Sequence, residues 1–194
     1  MDLGYSQNAS YILISEVVIF FFKHSIKGNS MMRQTEGFKQ PAVLVILKSN
    51  NQFLLLKRKK EPNKGKYTPV GGKLDPFETP YKAAIRETFE ETGIEVTNMK
   101  YCGLMVETSP TKYNWICFVY LSEINYQTPP ECNEGELEWI PITNLSEIPT
   151  PATDKYIYQY VAESKNFMFN VDYDHNLNII EMNEEIENKK IVET

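Results

Sequence analysis

Cysteine, histidine and net positive charge are all scarce in this chain of 194 residues. The three cysteines, Cys102, Cys117 and Cys132, are odd in number and lack metal-ligand spacing. They exclude a disulfide framework and read as reduced thiols of a cytoplasmic protein. The two histidines, His24 and His175, stand far apart without a partner motif, so neither reads as a ligand or a base. Twenty Lys and Arg against twenty-six Asp and Glu leave a net charge of −6. That balance argues against a general nucleic-acid binder, which needs a basic surface to neutralise phosphates. Long apolar runs are missing too. Tyr11 to Phe22 (YILISEVVIFFF) is interrupted by Glu16 and falls short of the roughly 20 apolar residues of a membrane span. No basic segment precedes it and no clear small-residue cleavage site follows, so neither a membrane anchor nor a secretory signal is expected.

A hydrophobic content of 42%, with 12% aromatics, belongs to a soluble globular protein, and the length suits one domain with a sizeable core. Residues 1–39 read as an N-terminal extension. Either translation starts at Met31 or Met32, or the extension is peripheral and its Ile19–Phe22 run docks on the domain or a partner. The domain itself is expected over 40–182, followed by a charged tail, 183–194, expected to fray.

Within that domain, Ala42 to Leu47 is a β-branched and aliphatic run typical of a buried strand. Ser49-Asn50-Asn51 is turn chemistry, so Gln52 to Lys57 completes a hairpin. Further strands are expected at Lys100 to Thr108, Trp115 to Leu121 and Glu136 to Ile140. A helix starts near Thr153-Asp154, and a hairpin pairs Phe167 to Val171 with Leu177 to Glu181. Helices alternating with strands in this order predict an α/β fold, a mixed β-sheet in an α/β/α sandwich.

Most of the chemistry lies between Gly72 and Ile94, GKLDPFETPYKAAIRETFEETGI. Thr79 suits an N-cap and Pro80 the first helical position, where its missing N–H costs nothing. Gly93 suits the left-handed residue just past a helix C-terminus. Between them Tyr81, Ala84, Ile85, Thr88 and Phe89 form an apolar stripe expected to face the core. Glu87, Glu90 and Glu91 share another face. Crowded carboxylates repel, and hard oxygen donors at this density suit Mg²⁺ or Mn²⁺. Arg86, four residues before Glu90, can pair with it. Upstream, Arg58, Lys59, Lys60, Lys64, Lys66 and Lys73 crowd the approach to Gly71-Gly72. This is either a solvated loop or a clamp for a polyphosphate.

The spacing G-x5-E-x7-R-E-U-x-E-E-x-G-U, with U apolar, resembles the signature of the Nudix hydrolases, its one loose fit being Thr88. The resemblance is to the MutT-like branch and covers roughly Gln40 to Met182. It implies the same sandwich fold and a Mg²⁺-dependent pyrophosphohydrolase. The substrate class it implies is a small-molecule nucleotide, in particular an oxidised purine nucleoside triphosphate such as 8-oxo-dGTP. Glu87, Glu90 and Glu91, the Gly71 backbone and Glu134 are the metal candidates. Either Glu134, five residues before Trp139, or a helix glutamate would be the general base, with Glu136 as a substitute. Catalytic roles are expected of Glu87, Glu90, Arg86 and Glu134. Arg58, Gly72, Lys73, Thr68 and Asp154 are expected to bind substrate, while Gly72, Glu78 and Gly93 support the loop and helix. Relatives often carry asparagine near Thr68, and tryptophan with paired acids before the second helix. Only Asp154 is retained here, which leaves base preference open. The rival readings are a Nudix hydrolase of another nucleoside diphosphate derivative and a nucleotide sensor without activity. Asp154 could alternatively be a plain N-cap.

Overall fold

A computed structural model describes residues 37–193; of the expected extension over 1–39, residues 1–36 lie outside the described residues. Among the described residues, nine strands and two α-helices follow one another. They are β1 (Gln40–Ser49), β2 (Gln52–Arg58), β3 (Tyr67–Thr68), α1 (Pro80–Thr92), β4 (Lys100–Thr108), β5 (Trp115–Glu123), β6 (Gly135–Pro141), α2 (Asp154–Ala162), β7 (Phe167–Tyr173), β8 (Ile179–Glu184) and β9 (Lys189–Glu193). The sheet runs β3-β2-β1-β5-β4-β7-β8-β9, with β6 along the other edge of β2. β1 lies parallel to β5 and β4 to β7, while the remaining pairs are antiparallel.

The apolar run of β1 is explained by burial on both faces. Ala42 and Ile46 join a core with Ile157, Tyr158 and Val161 of α2. Val43, Val45 and Leu47 alternate to the opposite core, with Ala83 and Ala84 of α1. The helices therefore cover opposite faces of a mixed sheet, as the expected sandwich requires.

Two sequence expectations need correction. The buried face of α1 is Ala83, Ala84, Thr88 and Thr92, whereas Tyr81 and Phe89 are exposed. Small residues let the helix approach β1 closely. The threonines are tolerated there because Thr88 Oγ1 donates to Ala84 O at 2.7 Å and Thr92 Oγ1 to Thr88 O at 2.5 Å, leaving no hydroxyl unpaired. The charged tail does not fray either. Residues 183–184 end β8 and Lys189–Glu193 form an edge strand along it. Lys190 lies 2.6 Å from Glu193 and 3.8 Å from Glu181. Charge on an edge strand blocks further pairing instead of preventing the strand.

Candidate active site

Local sequence fixes the position of the signature helix. Thr79 caps it, accepting from Lys82 N, and Pro80 opens it. Gly93 closes it at φ 68°, its N–H bonded to Phe89 O at 2.7 Å. The preceding segment runs beside β1, with Val45 N donating to Val70 O at 2.7 Å and Val43 N to Gly72 O at 2.8 Å. A Cβ at Gly71 would stand 2.1 Å from Val43 O, and one at Gly72 would stand 2.5 Å from Glu87 Oε1. At Gly71, with φ 146° and Val43 backbone in the way, only glycine fits, whereas a side chain at Gly72 would push the Glu87 carboxylate out of its place.

Arg86 organises the carboxylates. Its guanidinium donates to Glu78 Oε1 and Oε2 at 3.0 and 2.8 Å, to Glu87 Oε1 at 2.8 Å, to Glu90 Oε2 at 3.0 Å and to Lys73 O at 3.1 Å. The expected Arg86–Glu90 pair is thus present within a wider fan that ties the glycine loop to the helix. Hydrogen bonds from Arg86 hold Glu78 below the ordinary carboxylate range, whereas burial pushes Glu87 up. Glu91 turns the other way, and its Oε2 accepts from Gly71 N at 3.0 Å. Burial raises its pKa to about 7, opposed by the Gly71 N–H and reinforced by Glu134 and Glu87.

These donors suit a hard divalent cation. Among the described residues, no three acidic, histidine or cysteine side chains are already gathered around one point, because Arg86 engages Glu87 and Glu90 while Glu91 faces Gly71. The donor chemistry nevertheless fits Mg²⁺ or Mn²⁺: three carboxylates, one of them proton-hungry through desolvation, packed against a backbone without side chains.

Next to this face a cleft of about 300 Å³ opens, its lining including Arg58, Thr68, Gly71, Gly72, Lys73, Glu107, Trp115 and Asp154. The substrate candidates are therefore brought together. Arg58 is already engaged, its Nε donating to Pro62 O at 3.0 Å and its Nη1 to Glu134 Oε2 at 3.4 Å. Glu134 joins the site through that pair, while Glu136 lies 4.0 Å from Lys59 and Glu138 accepts from Tyr67 OH at 2.9 Å. Lys59, Lys60, Lys64 and Lys66 are exposed. Lys73 Nζ stands 5.8 Å over the Trp115 ring.

Asp154 is not the N-cap of α2. Thr153 holds that position, and Asp154 is the first helical residue, buried against the cleft. Burial, with Glu107 adding to it, raises its pKa to about 8. Sequence reasoning missed Glu107, Tyr113 and Trp115, all of which line the same cleft. Glu107 is buried and accepts from Tyr173 OH at 2.5 Å and Tyr113 OH at 3.4 Å. The available signal was the position of Glu107 at the end of an otherwise apolar strand two residues from Met105, which puts both on one face.

Comparison with known proteins agrees with this geometry. The NUDIX domain family matches residues 38–161, more than half of the chain. The Nudix hydrolase YvcI of Bacillus subtilis is 24% identical over 128 residues, covering 63% of this chain and 79% of the relative. The NAD-capped RNA hydrolase NudC of Haemophilus influenzae is 30% identical over 116 residues, 58% of this chain but only 44% of that protein, so the chain spans less than half of NudC. Among solved structures, the MutT protein of Bacillus halodurans superposes with a TM-score of 0.65 at 24% identity, covering 76% of this chain and 98% of its own. The NUDIX domain of Shewanella oneidensis NrtR, solved with ADP ribose, gives 0.57 at 14%, over 69% and 93%. At these identities both structures speak to the fold alone. Carried by the domain match and a signature that departs only at Thr88, this chain belongs to the Nudix family and is a hydrolase of pyrophosphate bonds.

Proposed function

We propose that the chain is a Mg²⁺-dependent pyrophosphohydrolase of nucleoside triphosphates that prefers oxidised purines, releasing the monophosphate and pyrophosphate. One observation carries this reading: an acidic helix face packed on Gly71-Gly72 opens onto a cleft containing a buried carboxyl, Asp154. Glu87, Glu90, Glu91 and the Gly71 backbone would hold Mg²⁺ or Mn²⁺, with Glu134 as a further donor. The cation, when bound, supplies charge neutralisation at the phosphates and a more acidic water. Arg58 and Lys73 bind phosphate oxygens, and Arg86 fixes the directions of Glu78, Glu87 and Glu90. Glu134 or a glutamate of α1 accepts the proton of the attacking water.

The base reading follows from the protonation of Asp154. Below about pH 8 it is a neutral acid, presenting an O–H donor beside a C=O acceptor. Guanine offers two acceptors, O6 and N7, on its outer edge. Oxidation at C8 turns N7 into a donor, and the edge then matches the acid at both positions. A mismatched buried pair costs about 1–3 kcal/mol, roughly 5- to 150-fold in kcat/KM.

The NudC relatives, NAD-capped RNA hydrolases, favour a second reading, a nucleoside diphosphate derivative. Adenine presents a donor beside an acceptor on the same edge, so it also fits the neutral acid. Product analysis over 8-oxo-dGTP, dGTP, NAD⁺ and ADP-ribose with Mg²⁺ separates the readings. Pyrophosphate released fastest from 8-oxo-dGTP is expected, and faster turnover of NAD⁺ selects the second. In wild type, kcat/KM for 8-oxo-dGTP should fall as pH rises through about 8. Asp154→Asn, which keeps a donor and an acceptor but cannot ionise, should remove that decline. Asp154→Ala should lose about tenfold or more in preference over dGTP. Equal loss for both nucleotides would return Asp154 to a packing role.

A further inference from the structure

Among the described residues, two buried side-chain polar atoms have no hydrogen-bond partner, Thr68 Oγ1 and Trp115 Nε1. Both residues line the cleft that holds Asp154. Orphaned buried polar atoms are rare in folded proteins, because each forfeits its hydrogen bonds to water. Their surroundings are otherwise well satisfied. Asn114, beside Trp115, accepts from Ser109 N and donates to Ser109 O and Thr111 O. Trp139, the second of two tryptophans in the chain, donates to Gln127 O at 2.8 Å. The deficit is thus concentrated in one cleft, on β3 and on β5.

An indole N–H only donates, and a threonine hydroxyl can donate, so the missing partner is an acceptor. Trp115 and Thr68 line the same cleft as Asp154, the acid set against the purine edge in the reading above, so the acceptor expected there is a nucleobase oxygen. Lys73 Nζ stands 5.8 Å over the Trp115 ring, and Tyr113 and Trp115 make a T-shaped contact of 6.0 Å. We infer that Trp115 Nε1–H, together with the Thr68 hydroxyl, reads a carbonyl oxygen of the nucleobase and selects oxo-purines over amino-purines. This rests on the reading of the cleft as a purine nucleotide site, and makes Trp115 a specificity-determining residue of it.

The test uses the full chain, labelled with ¹⁵N at tryptophan, which yields two indole N–H resonances assigned through Trp139→Phe. With Mg²⁺ present, dGMP and 8-oxo-dGMP should move the Trp115 resonance downfield while dAMP leaves it in place. Calorimetry on Trp115→Phe should show the Kd of both oxo-purine monophosphates raised about tenfold, with that of dAMP unchanged. Thr68→Val, a nearly isosteric change, should weaken the same two ligands and spare dAMP, which guards against a folding defect in the larger substitution. Binding of dGMP with the Trp115 indole unmoved would overturn this inference alone, as would an equal loss for dAMP. Failure of every purine monophosphate to bind would overturn the purine reading of the cleft along with it.

Discussion

Replacing Glu91 with glutamine should abolish turnover and make the metal-free protein more stable, by an amount that grows with pH. The carboxyl is largely buried, and its pKa stands near 7 instead of the ordinary 4.5. A folded-state pKa above the unfolded one means that folding retains a proton the unfolded chain releases. Stability contributed by this group is therefore complete below about pH 4.5 and declines as pH rises to about 7. That gap corresponds to at most about 3 kcal/mol once the folded carboxyl is fully ionised. Glutamine keeps an oxygen for the Gly71 N–H and carries no charge, so it escapes the penalty. For a domain of this size the gain amounts to roughly 6–12 °C in Tm. Thermal melts in a chelator should show the variant and wild type nearly coincident at pH 4.5 and separated at pH 8. Added Mg²⁺ should then raise the wild-type Tm and leave Glu91→Gln behind, since only the carboxylate gains from the cation. A Tm difference independent of pH, or near wild-type turnover at saturating Mg²⁺, would refute the assignment of Glu91 as a desolvated ligand.

Glu90→Gln should also abolish turnover but give no comparable rise in apo Tm, because Glu90 is 55% exposed and bonded to Arg86; a pH-dependent gain equal to that of Glu91→Gln, or retained turnover, counts against this. Gly72→Ala should cut kcat strongly, since the added methyl meets the Glu87 carboxylate at about 2.5 Å; an unaffected kcat would show that Glu87 does not need its place against the loop. Deleting residues 1–31 should leave Mg²⁺-dependent hydrolysis unchanged, and loss of folding or of activity on assay of the truncated chain would make the extension structural.

The parts of this molecule that were legible in sequence are those whose physics is local. Thr79, Pro80 and Gly93 mark the bounds of α1 because capping and left-handed backbone depend on neighbours within one turn. The i, i+3, i+4 spacing of Glu87, Glu90 and Glu91 guarantees proximity on a helix whatever the rest of the fold does. The buried face of that helix was harder to read. Ranking by hydrophobicity selects Tyr81 and Phe89, yet close approach to β1 selects small residues, and the threonines conceal their polarity in bonds to carbonyls one turn back. The charged end of the chain was misread because β9 draws its pairing from β8 and only two residues, Ile191 and Val192, pack it on the core.

Beyond its place two residues from Met105, nothing local announces Glu107 as part of the cleft. Glu107 faces Trp115 across the antiparallel β4–β5 pair and Val171 across the parallel β4–β7 pair. Its hydroxyl partners, Tyr113 and Tyr173, come from a loop and from a strand more than sixty positions away. Only the assembled register makes a buried carboxylate there affordable, and that carboxylate in turn helps keep Asp154 protonated. The same limit applies at the acidic helix. Spacing shows that Arg86 can reach Glu90, but not that it also holds Glu78, Glu87 and the Lys73 carbonyl, because Glu78 arrives by a loop. Arg86 therefore does two things at once. It neutralises carboxylates that would otherwise repel in the metal-free protein, and it ties the loop that carries Gly72 and Lys73 to the helix. A cation held by Glu87 and Glu90 would compete with the first role and leave the second intact, since the bonds to Glu78 and Lys73 O involve neither of those carboxylates.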